Sequence, residues 1–325
     1  MRERDLPETT ISPDEAGQKL HRYLARLLPG LTRGQLHKLI RTRKVRVNGR
    51  KAEAHTVLNA GDRVLIHMSP EGLARARKAA SRRADSIDFE IRYEDDCLLV
   101  VSKPAGLPVH PGAGHRKNSL IDQVHAYLEV DENAEFRPAL VHRLDRDTSG
   151  LVVIGKTYRA VRRLGEAFKA GRVRKSYLAL CLGTPRPRRG TWQLEVRRLD
   201  VKTKSEREAG LGITEYKVAL ERKLHLGSES LEVALLVLRL KTGRTHQIRS
   251  HLLQAGHPLV GDPRYGNREL NRLVAGRFGL RRQFLHAYRL RFEHPVTGNP
   301  LRLADPYPDD LQPMVSALRL GVPAD

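Results

Sequence analysis

Two carboxylates, Asp145 and Asp147, stand among basic side chains in the segment LVHRLDRDTSG over residues 140–150. The apolar residues on both sides of this segment predict a strand, a turn and a second strand. Asp147 opens Asp-Thr-Ser-Gly, a sequence in which a carboxylate caps the backbone amides of a turn. Asp145 has no such local role, and Arg143 lies on its side of an extended strand. Asp145 is therefore the candidate for chemistry that needs an ionised carboxylate, and a structural ion pair with Arg143 would explain the same pattern.

Residues 150–157, GLVVIGKT, match the expression G-x-x-x-x-G-K-[ST] of a phosphate-binding loop. Such a loop follows a strand, and the backbone N–H groups between its glycines turn towards the phosphates. Here the residues between the glycines are apolar and mostly β-branched, which favours a strand whose amides belong to a sheet. A nucleotide-dependent RNA enzyme that uses Gly155 and Lys156 stays an alternative, which an ATP-binding assay tests.

The sequence lacks the spacing of a metal site. His246 and His251 in THQIRSH are five residues apart, which turns them away from each other on a helix. The two cysteines, Cys97 and Cys181, lie in apolar runs without a CxxC spacing, and we interpret both as core residues. We therefore expect no metal ligand, no structural zinc and no disulfide.

The chain is strongly basic, with 59 Lys and Arg against 37 Asp and Glu and a formal net charge of +22. Such an excess points to a polyanionic partner. A membrane is disfavoured because the longest apolar stretch, Val233 to Leu238, is far shorter than the roughly 20 residues that cross a bilayer. The N-terminal residues lack the features of a signal or transit peptide, so we expect a cytoplasmic protein with no membrane partner.

The basic charge is concentrated near the N-terminus, where residues 16–52 contain eleven Lys or Arg and no acid. Apolar spacing predicts one helix ending at Pro29-Gly30 and a second one for which Thr32 is a plausible N-cap. A strand and an Asn-Gly turn in VRVNG and a further strand in RVLIHM follow. The RNA-binding candidates of this module are Arg33, His37, Lys38, Arg41, Arg43, Lys44 and Arg46.

The rest of the chain predicts a linker and one larger domain. Residues 69–86 are rich in Ala, Arg and Ser and poor in large apolar side chains, so we interpret them as a linker. Strands are expected within 89–95, 96–104, 150–156, 176–183, 191–196, 213–220, 231–240 and 284–295, and helices near 119–130, 158–170, 245–255 and 267–276. Because several strands follow one another without a helix, we expect an α+β fold: a small helix–helix–sheet module over 12–68, the linker over 69–86, and a domain over 87–315 with a mixed, mainly antiparallel sheet flanked by helices.

Several motifs, taken together and in order, resemble one known family. HRLDRDTSGL resembles the signature of the RluA-type pseudouridine synthases, and KPAGLPVH precedes it, while RKSYLALCLG, GRTHQIRSH, GDPRYG and FLHA follow it. The segment 12–68 resembles the S4 RNA-binding domain. The one departure noted is Ser250, where many members have Val, and it touches no proposed chemical role.

The resemblance implies an enzyme that isomerises specific uridines of RNA to pseudouridine without a cofactor. It assigns the catalytic carboxylate to Asp145, the cation that keeps this carboxylate ionised to Arg249, and both the stacking surface for uracil and the removal of its C5 proton to Tyr177. It implies that the target uridine flips out of its helix and that Arg143 fills the vacated stack. An S4 module favours large-subunit ribosomal RNA over transfer RNA as the partner, and we expect a monomer.

The alternative from another class is a catalytically inactive RNA-binding or ribosome-assembly factor. The presence of Asp145, Tyr177 and Arg249 together argues against it.

Overall fold

The computed structural model describes residues 8–13, 15–28, 31, 33–77, 87–111, 118–130, 134, 136–199, 206–227 and 229–323. The chain has the predicted α+β architecture, in which a small N-terminal module precedes a larger domain built on one mixed sheet. The helix break at Pro29-Gly30, the capping residue Thr32 and residues 78–86 of the expected linker lie outside the described residues. In the described part of the chain, no helix is both long and apolar enough to cross a bilayer.

The N-terminal module packs two helices against a four-stranded sheet with the order β1-β4-β2-β3. Its elements are β1 (Glu8–Thr10), α1 (Leu20–Leu27), α2 (Arg33–Arg41), β2 (Val45–Val47), β3 (Arg50–Lys51) and β4 (Arg63–Ile66). Asn48 and Gly49, with φ of 52° and 73°, form the tight turn between β2 and β3 that Asn-Gly predicts. Leu20 and Leu24, which are four residues apart, are both fully buried, as the helical spacing of the apolar residues requires.

The interpretation of residues 69–86 as a linker is wrong at its N-terminal end. Residues Pro70–Arg77 form a helix, α3, which belongs to the module that precedes it. Leu73 and Ala76 are 8% and 2% exposed and lie in the same apolar cluster as the residues of α1 and β4. Two small contacts suffice here because α3 adds to an existing core and does not have to form its own.

The larger domain contains a ten-stranded sheet in which β10-β11-β12-β9-β13-β8-β6-β5 lie side by side, with β14 next to β13 and β7 next to β8. Its strands are β5 (Glu90–Glu94), β6 (Leu98–Lys103), β7 (Ala139–Leu140), β8 (Ser149–Gly155), β9 (Arg174–Leu182), β10 (Arg189–Leu199), β11 (Glu206–Leu226), β12 (Glu229–Leu240), β13 (Leu285–Glu293) and β14 (Pro300–Ala304). Among the strand pairs of the described residues, only β8 and β13 are parallel, so the sheet is mixed and mainly antiparallel, as expected.

Helices cover both faces of this sheet. They are α4 (Leu120–Tyr127), α5 (Tyr158–Lys169), α6 (Gln247–Gln254), α7 (Arg268–Phe278) and α8 (Gln312–Leu318), and a short 3-10 helix precedes α8. Helices α4 and α6 share one apolar cluster with Tyr177 of β9, whereas α7 and α8 pack with Leu178, the next residue of that strand. The alternation of side chains along β9 thus separates two layers, and the layer that contains Tyr177 also contains the candidate site.

Candidate active site

Asp145 lies in an irregular segment between β7 and β8 and not on a strand, contrary to the sequence prediction. Strand β7 ends at Leu140, and the backbone N–H of Thr148 donates to the carbonyl of Asp145 at 3.1 Å to close a turn. The side chain of Asp145 is 17% exposed. A carboxylate at such a position is held by its turn and by neighbouring groups, because no sheet ladder fixes it.

The turn that contains Asp145 is fixed by Lys103, a buried residue that the sequence analysis did not identify. Its side chain is fully buried, and Nζ donates to the carbonyls of Pro104, Leu107 and Arg146 at 2.6, 2.9 and 2.8 Å. The Gly106 N–H donates to the same Arg146 carbonyl at 3.0 Å. Burial lowers the pKa of Lys103 to about 7. This lysine of the KPAGLPVH motif therefore fixes the residue that follows Asp145.

Gly150 fixes the other end of the turn. Its φ is +116°, and a Cβ atom there would lie 2.4 Å from the backbone oxygen of Ala287. Strand β13 pairs with β8 in parallel at this point, with Ala287 opposite Gly150. Glycine is required for both reasons, since the backbone conformation and the close approach of β13 exclude a side chain.

Arg249 of α6 joins two carboxylates. Its Nε and Nη2 donate to Asp262 at 2.7 and 2.8 Å, and its Nη1 donates to Asp145 at 3.3 Å. The ring of Tyr265 lies 4.9 Å from the guanidinium carbon. Burial opposes the charge of Arg249, but the bonds and charges of Asp262 and Asp145 outweigh burial and raise its pKa. The structure thus brings Asp145 and Arg249 together as expected, and adds Asp262 and Tyr265, from the GDPRYG motif, as groups that fix the arginine.

The residues before α6 bend back over the site. His246 has a φ of 62°, its Nδ1 lies 3.0 Å from the hydroxyl of Tyr265, and its Nε2 lies 3.9 Å from Asp145. Gln247 accepts from the Arg244 N–H at 3.0 Å and donates to the carbonyl of Ile213 at 3.0 Å. This glutamine of the QIR motif ties the loop that carries Arg244 to the neighbouring strand β11.

Tyr177 and Asp145 line one cavity of about 340 Å³ together with Arg249 and His246. Tyr177 is 3% exposed, and burial together with the charge of Asp145 raises the pKa of its hydroxyl. The three residues predicted to form the site therefore meet in one place, although they come from a turn, a strand and a helix.

Basic side chains surround the mouth of this cavity. The exposed cations that line it are Arg143, Lys169, Lys241 and Arg244, whereas Lys175 is partly buried and Arg249 is buried. Arg143 is exposed, as a residue that enters an RNA stack has to be. Burial lowers the pKa of Lys175 to about 8. A carboxylate at the bottom and cations around the opening suit a ligand whose outer part is a polyanion.

The sequence predictions for Asp147 and Cys97 need correction. The carboxylate of Asp147 accepts from Nε and Nη2 of Arg146 at 2.9 and 3.0 Å, and no backbone N–H of the described residues donates to it, so Asp147 is not the turn cap that Asp-Thr-Ser-Gly predicts. Cys97 is half-buried in the turn before β6, whereas Cys181 is fully buried as expected. Neither correction affects the cavity around Asp145.

The segment that matches a phosphate-binding loop is a strand. Residues Gly150 to Gly155 pair in register with β6 along its whole length, so their backbone groups belong to the sheet. Lys156 Nζ donates to Glu94 at 2.7 Å and is not directed at a phosphate cradle. The nucleotide-dependent alternative thus loses its structural basis.

In the described part of the chain, one trio of side chains has ligand atoms close enough for a metal ion: Asp95, Cys97 and His294, all within 4.8 Å. The Nδ1 of His294 accepts from the N–H groups of Val296 and Thr297 at 3.2 and 3.0 Å. Its Nε2 therefore carries the proton and donates it to Asp95 at 2.8 Å. These bonds explain the trio as a structural network that joins the β5–β6 turn to the end of β13.

The basic residues expected to bind RNA lie on and just after α2. His37, Lys38, Arg41, Arg43 and Lys44 are exposed, Arg46 is half-buried on β2, and Arg33 begins the helix. Leu36 and Ile40 of the same helix are buried, so the basic side faces outward as the spacing predicts.

Comparison with known proteins identifies the family. The model described as RNA pseudouridylate synthase matches residues 97–254, and the S4 domain model matches residues 18–64. Ribosomal large subunit pseudouridine synthase C of Haemophilus influenzae is 33% identical over 318 residues, which cover 95% of this chain and 94% of that protein. Ribosomal large subunit pseudouridine synthase D of Xanthomonas campestris is 36% identical over 325 residues, which cover 97% and 93%.

Solved structures with a similar fold agree with this result. Human RNA pseudouridylate synthase domain containing 4 is 25% identical with a TM-score of 0.53, and the match covers 72% of this chain and 94% of that one. Human RNA pseudouridylate synthase domain containing 1 is 26% identical, also with a TM-score of 0.53, and the match covers 73% and 97%.

Proposed function

The chain belongs to the RNA pseudouridylate synthase family, and we propose that it isomerises selected uridines of large-subunit ribosomal RNA to pseudouridine, with Asp145 as the catalytic carboxylate. The observation that carries the proposal is the pairing of Asp145 with a buried, fixed Arg249 at 3.3 Å at the bottom of a cavity with a basic rim. The named relatives, which act on the large ribosomal subunit, support the choice of RNA. The inactive alternative has no support, since the matches to these synthases cover 95% and 97% of this chain.

The reaction breaks the bond between N1 of uracil and C1′ of ribose and forms a bond between C5 and the same carbon. Positive charge develops on the sugar as the first bond breaks, and an ionised carboxylate next to C1′ stabilises it or traps it as an ester. N1 gains a proton and C5 loses one, so the reaction needs no oxidant and no external group. Arg249 serves this step by donating to Asp145 at 3.3 Å, which holds the carboxylate in place next to the ribose.

Tyr177 is proposed as the surface on which the detached uracil turns. Its ring is buried on β9 and lines the same cavity as Asp145. Burial and the charge of Asp145 raise the pKa of its hydroxyl, so the neutral phenol predominates at neutral pH. The resemblance also implies that Tyr177 removes the C5 proton. That role stays a prediction, and it would have to proceed through the small fraction of phenolate present at neutral pH.

Access to the cavity requires that the uridine leave its helix, which costs a few kcal/mol. We propose that exposed Arg143, at the rim, fills the space left in the stack. The exposed basic side chains of α2 and the turn after it, His37, Lys38, Arg41, Arg43 and Lys44, hold a second part of the RNA, with Arg33 and Arg46 beside them. We further propose that the protein works in the cytoplasm as a monomer on ribosomal RNA.

The experiment that tests this proposal is the mapping of pseudouridines in total RNA from cells with and without the gene. We expect one or a few positions of the large-subunit RNA to lose pseudouridine when the gene is removed and to regain it with the unaltered gene but not with Asp145→Asn. An unchanged map of ribosomal RNA, or a loss confined to transfer RNA, would contradict the choice of substrate.

A further inference from the structure

Three arginines form one row across β9, β13 and β14. Arg174 lies opposite Arg291, and Arg291 lies opposite Arg302 in the antiparallel register. Neighbouring strands are about 4.8 Å apart, so the three side chains leave the sheet within about 10 Å of one another. Like charges placed directly opposite each other destabilise a sheet. A row of this kind is favourable when an anion lies on it.

The next row of the same side adds two more cations. Ser176 of β9 lies between Arg239 of β12 and Arg289 of β13. Because residues two positions apart on a strand share a side of the sheet, these two arginines and the row of three share one surface. We call it the arginine face; it consists of Arg174, Arg239, Arg289, Arg291 and Arg302.

The charges of the arginine face act on a neighbouring group. Burial raises the pKa of Tyr288, and the positive charges of Arg289, Arg239 and Arg291 oppose that rise. These guanidinium groups therefore lie close enough together to act on one hydroxyl.

Among the described residues, no carboxylate forms an ion pair with Arg174, Arg239 or Arg302 of the face. Glu215 lies opposite Arg239, but its carboxylate pairs with Lys241 at 3.0 Å. Arg174 and Arg302 are exposed. Both, with Arg291, line an open groove of about 930 Å³, whose lining also includes Glu166 and Glu293.

The alternation of β9 separates this surface from the catalytic cavity. Lys175 and Tyr177 line the cavity of Asp145, so Arg174 and Ser176 project from the opposite side of the strand. The side chains of the arginine face therefore leave the sheet on the side opposite to the cavity, which suits a different stretch of the partner as the occupant.

We propose that the arginine face binds the phosphates of an RNA segment separate from the strand that carries the target uridine. The inference rests on the proposed function, because large-subunit ribosomal RNA supplies both a target strand and distant helices in one molecule. Repeated phosphates match a surface of closely spaced guanidinium groups, which prefer phosphate oxygens and form two parallel bonds to them.

The test compares two variants with the same change in charge. In the first, Arg174, Arg291 and Arg302 are replaced by Gln; in the second, the exposed Arg268, Arg272 and Arg281, on or next to α7, are replaced by Gln. Binding to a large-subunit ribosomal RNA transcript and to a short uridine-containing hairpin is measured over a series of salt concentrations. For the transcript, the slope of log K against log salt should fall by about two in the first variant, since each lost phosphate contact removes about 0.7 to 0.9. The slope for the hairpin should stay unchanged, as should both slopes of the second variant.

Equal transcript slopes in the two variants would overturn the proposal. An equal loss with the hairpin would overturn the claim of a separate segment. The melting temperature of the first variant should stay close to that of the parent, so that a change in slope is not caused by loss of the fold. If that variant does not fold, Arg302→Gln on the edge strand β14 must lower the transcript slope by about one, and no change there overturns the proposal. Pseudouridine formation by the parent on the same transcript tests the proposed function separately.

Discussion

Replacement of Asp262 by Asn is expected to destabilise the protein by about 3 kcal/mol, an amount that follows from the contacts of one buried carboxylate. Asp262 is fully buried, and its two oxygens accept from Nε and Nη2 of Arg249 at 2.7 and 2.8 Å. Its Oδ1 also accepts from the N–H groups of Arg264 and Tyr265, both at 2.9 Å. In Asp262→Asn, Oδ1 can keep its partners, but the amide NH2 meets the Nε–H of Arg249, so two donors face each other.

The size of the effect follows from what remains. Breaking a buried ion pair by removing one partner costs about 3 to 5 kcal/mol. Asp145 still lies 3.3 Å from Arg249 and balances part of the charge, which places the loss at the lower end. Since total stability is about 5 to 15 kcal/mol, this loss is easily measured.

Urea unfolding followed by circular dichroism gives the difference, with Asp147→Asn as the matched control. The pair of Asp147 with Arg146, at 2.9 Å, is half exposed on the arginine side, and its loss should cost less than about 1 kcal/mol. The folded Asp262→Asn protein should also form pseudouridine more slowly, because Arg249 is no longer fixed. Equal stability losses in the two variants would refute the account of Asp262.

Three further predictions concern the frame of the site. Gly150→Ala should lower the free energy of unfolding by about 2 to 4 kcal/mol, because of backbone strain and overlap with β13. Gly165→Ala on α5, where a Cβ meets open space, should not lower it, and equal melting temperatures of the two variants would contradict this. Burial lowers the pKa of His142, whose Nε2 accepts from the Val153 N–H at 3.1 Å. Below pH about 6.5 the unfolded state therefore binds more protons than the folded state, so the free energy of unfolding should fall as the pH drops through that value. In urea unfolding, His142→Gln should make this fall smaller. Calorimetry should find no saturable ATP binding, and a site abolished by Lys156→Ala would contradict the assignment of that segment to a strand.

Much of the fold follows from local sequence patterns. Each of the eight segments expected to contain a strand contains an observed one, because runs such as LEVALLVLRL leave no other way to bury their side chains. Strands β1, β3, β7 and β14 and helix α8 escaped prediction because they are short or join a surface formed by distant residues. The helix α3 was missed because its stability comes from the core of the N-terminal module and not from its own composition.

The candidate site shows the same division. Ordered motifs identified Asp145, Tyr177 and Arg249, and the structure brings them into one cavity. Lys103 and Asp262 were missed because a charged residue in a motif gives no sign of its burial or of its partner across the fold. Ser250, noted as a departure from the family, accepts from the Arg197 N–H at 2.9 Å and so has a structural contact.

The most direct test of the account is the activity of Asp145→Asn on an RNA that the parent modifies. Asp262 still holds Arg249 in this variant, so the fold and the RNA-binding surfaces are retained. We expect no detectable pseudouridine and an RNA affinity close to that of the parent, because the charge that develops on the ribose exists only during the reaction. Pseudouridine formation at the rate of the parent would show that a group other than this carboxylate performs the chemistry.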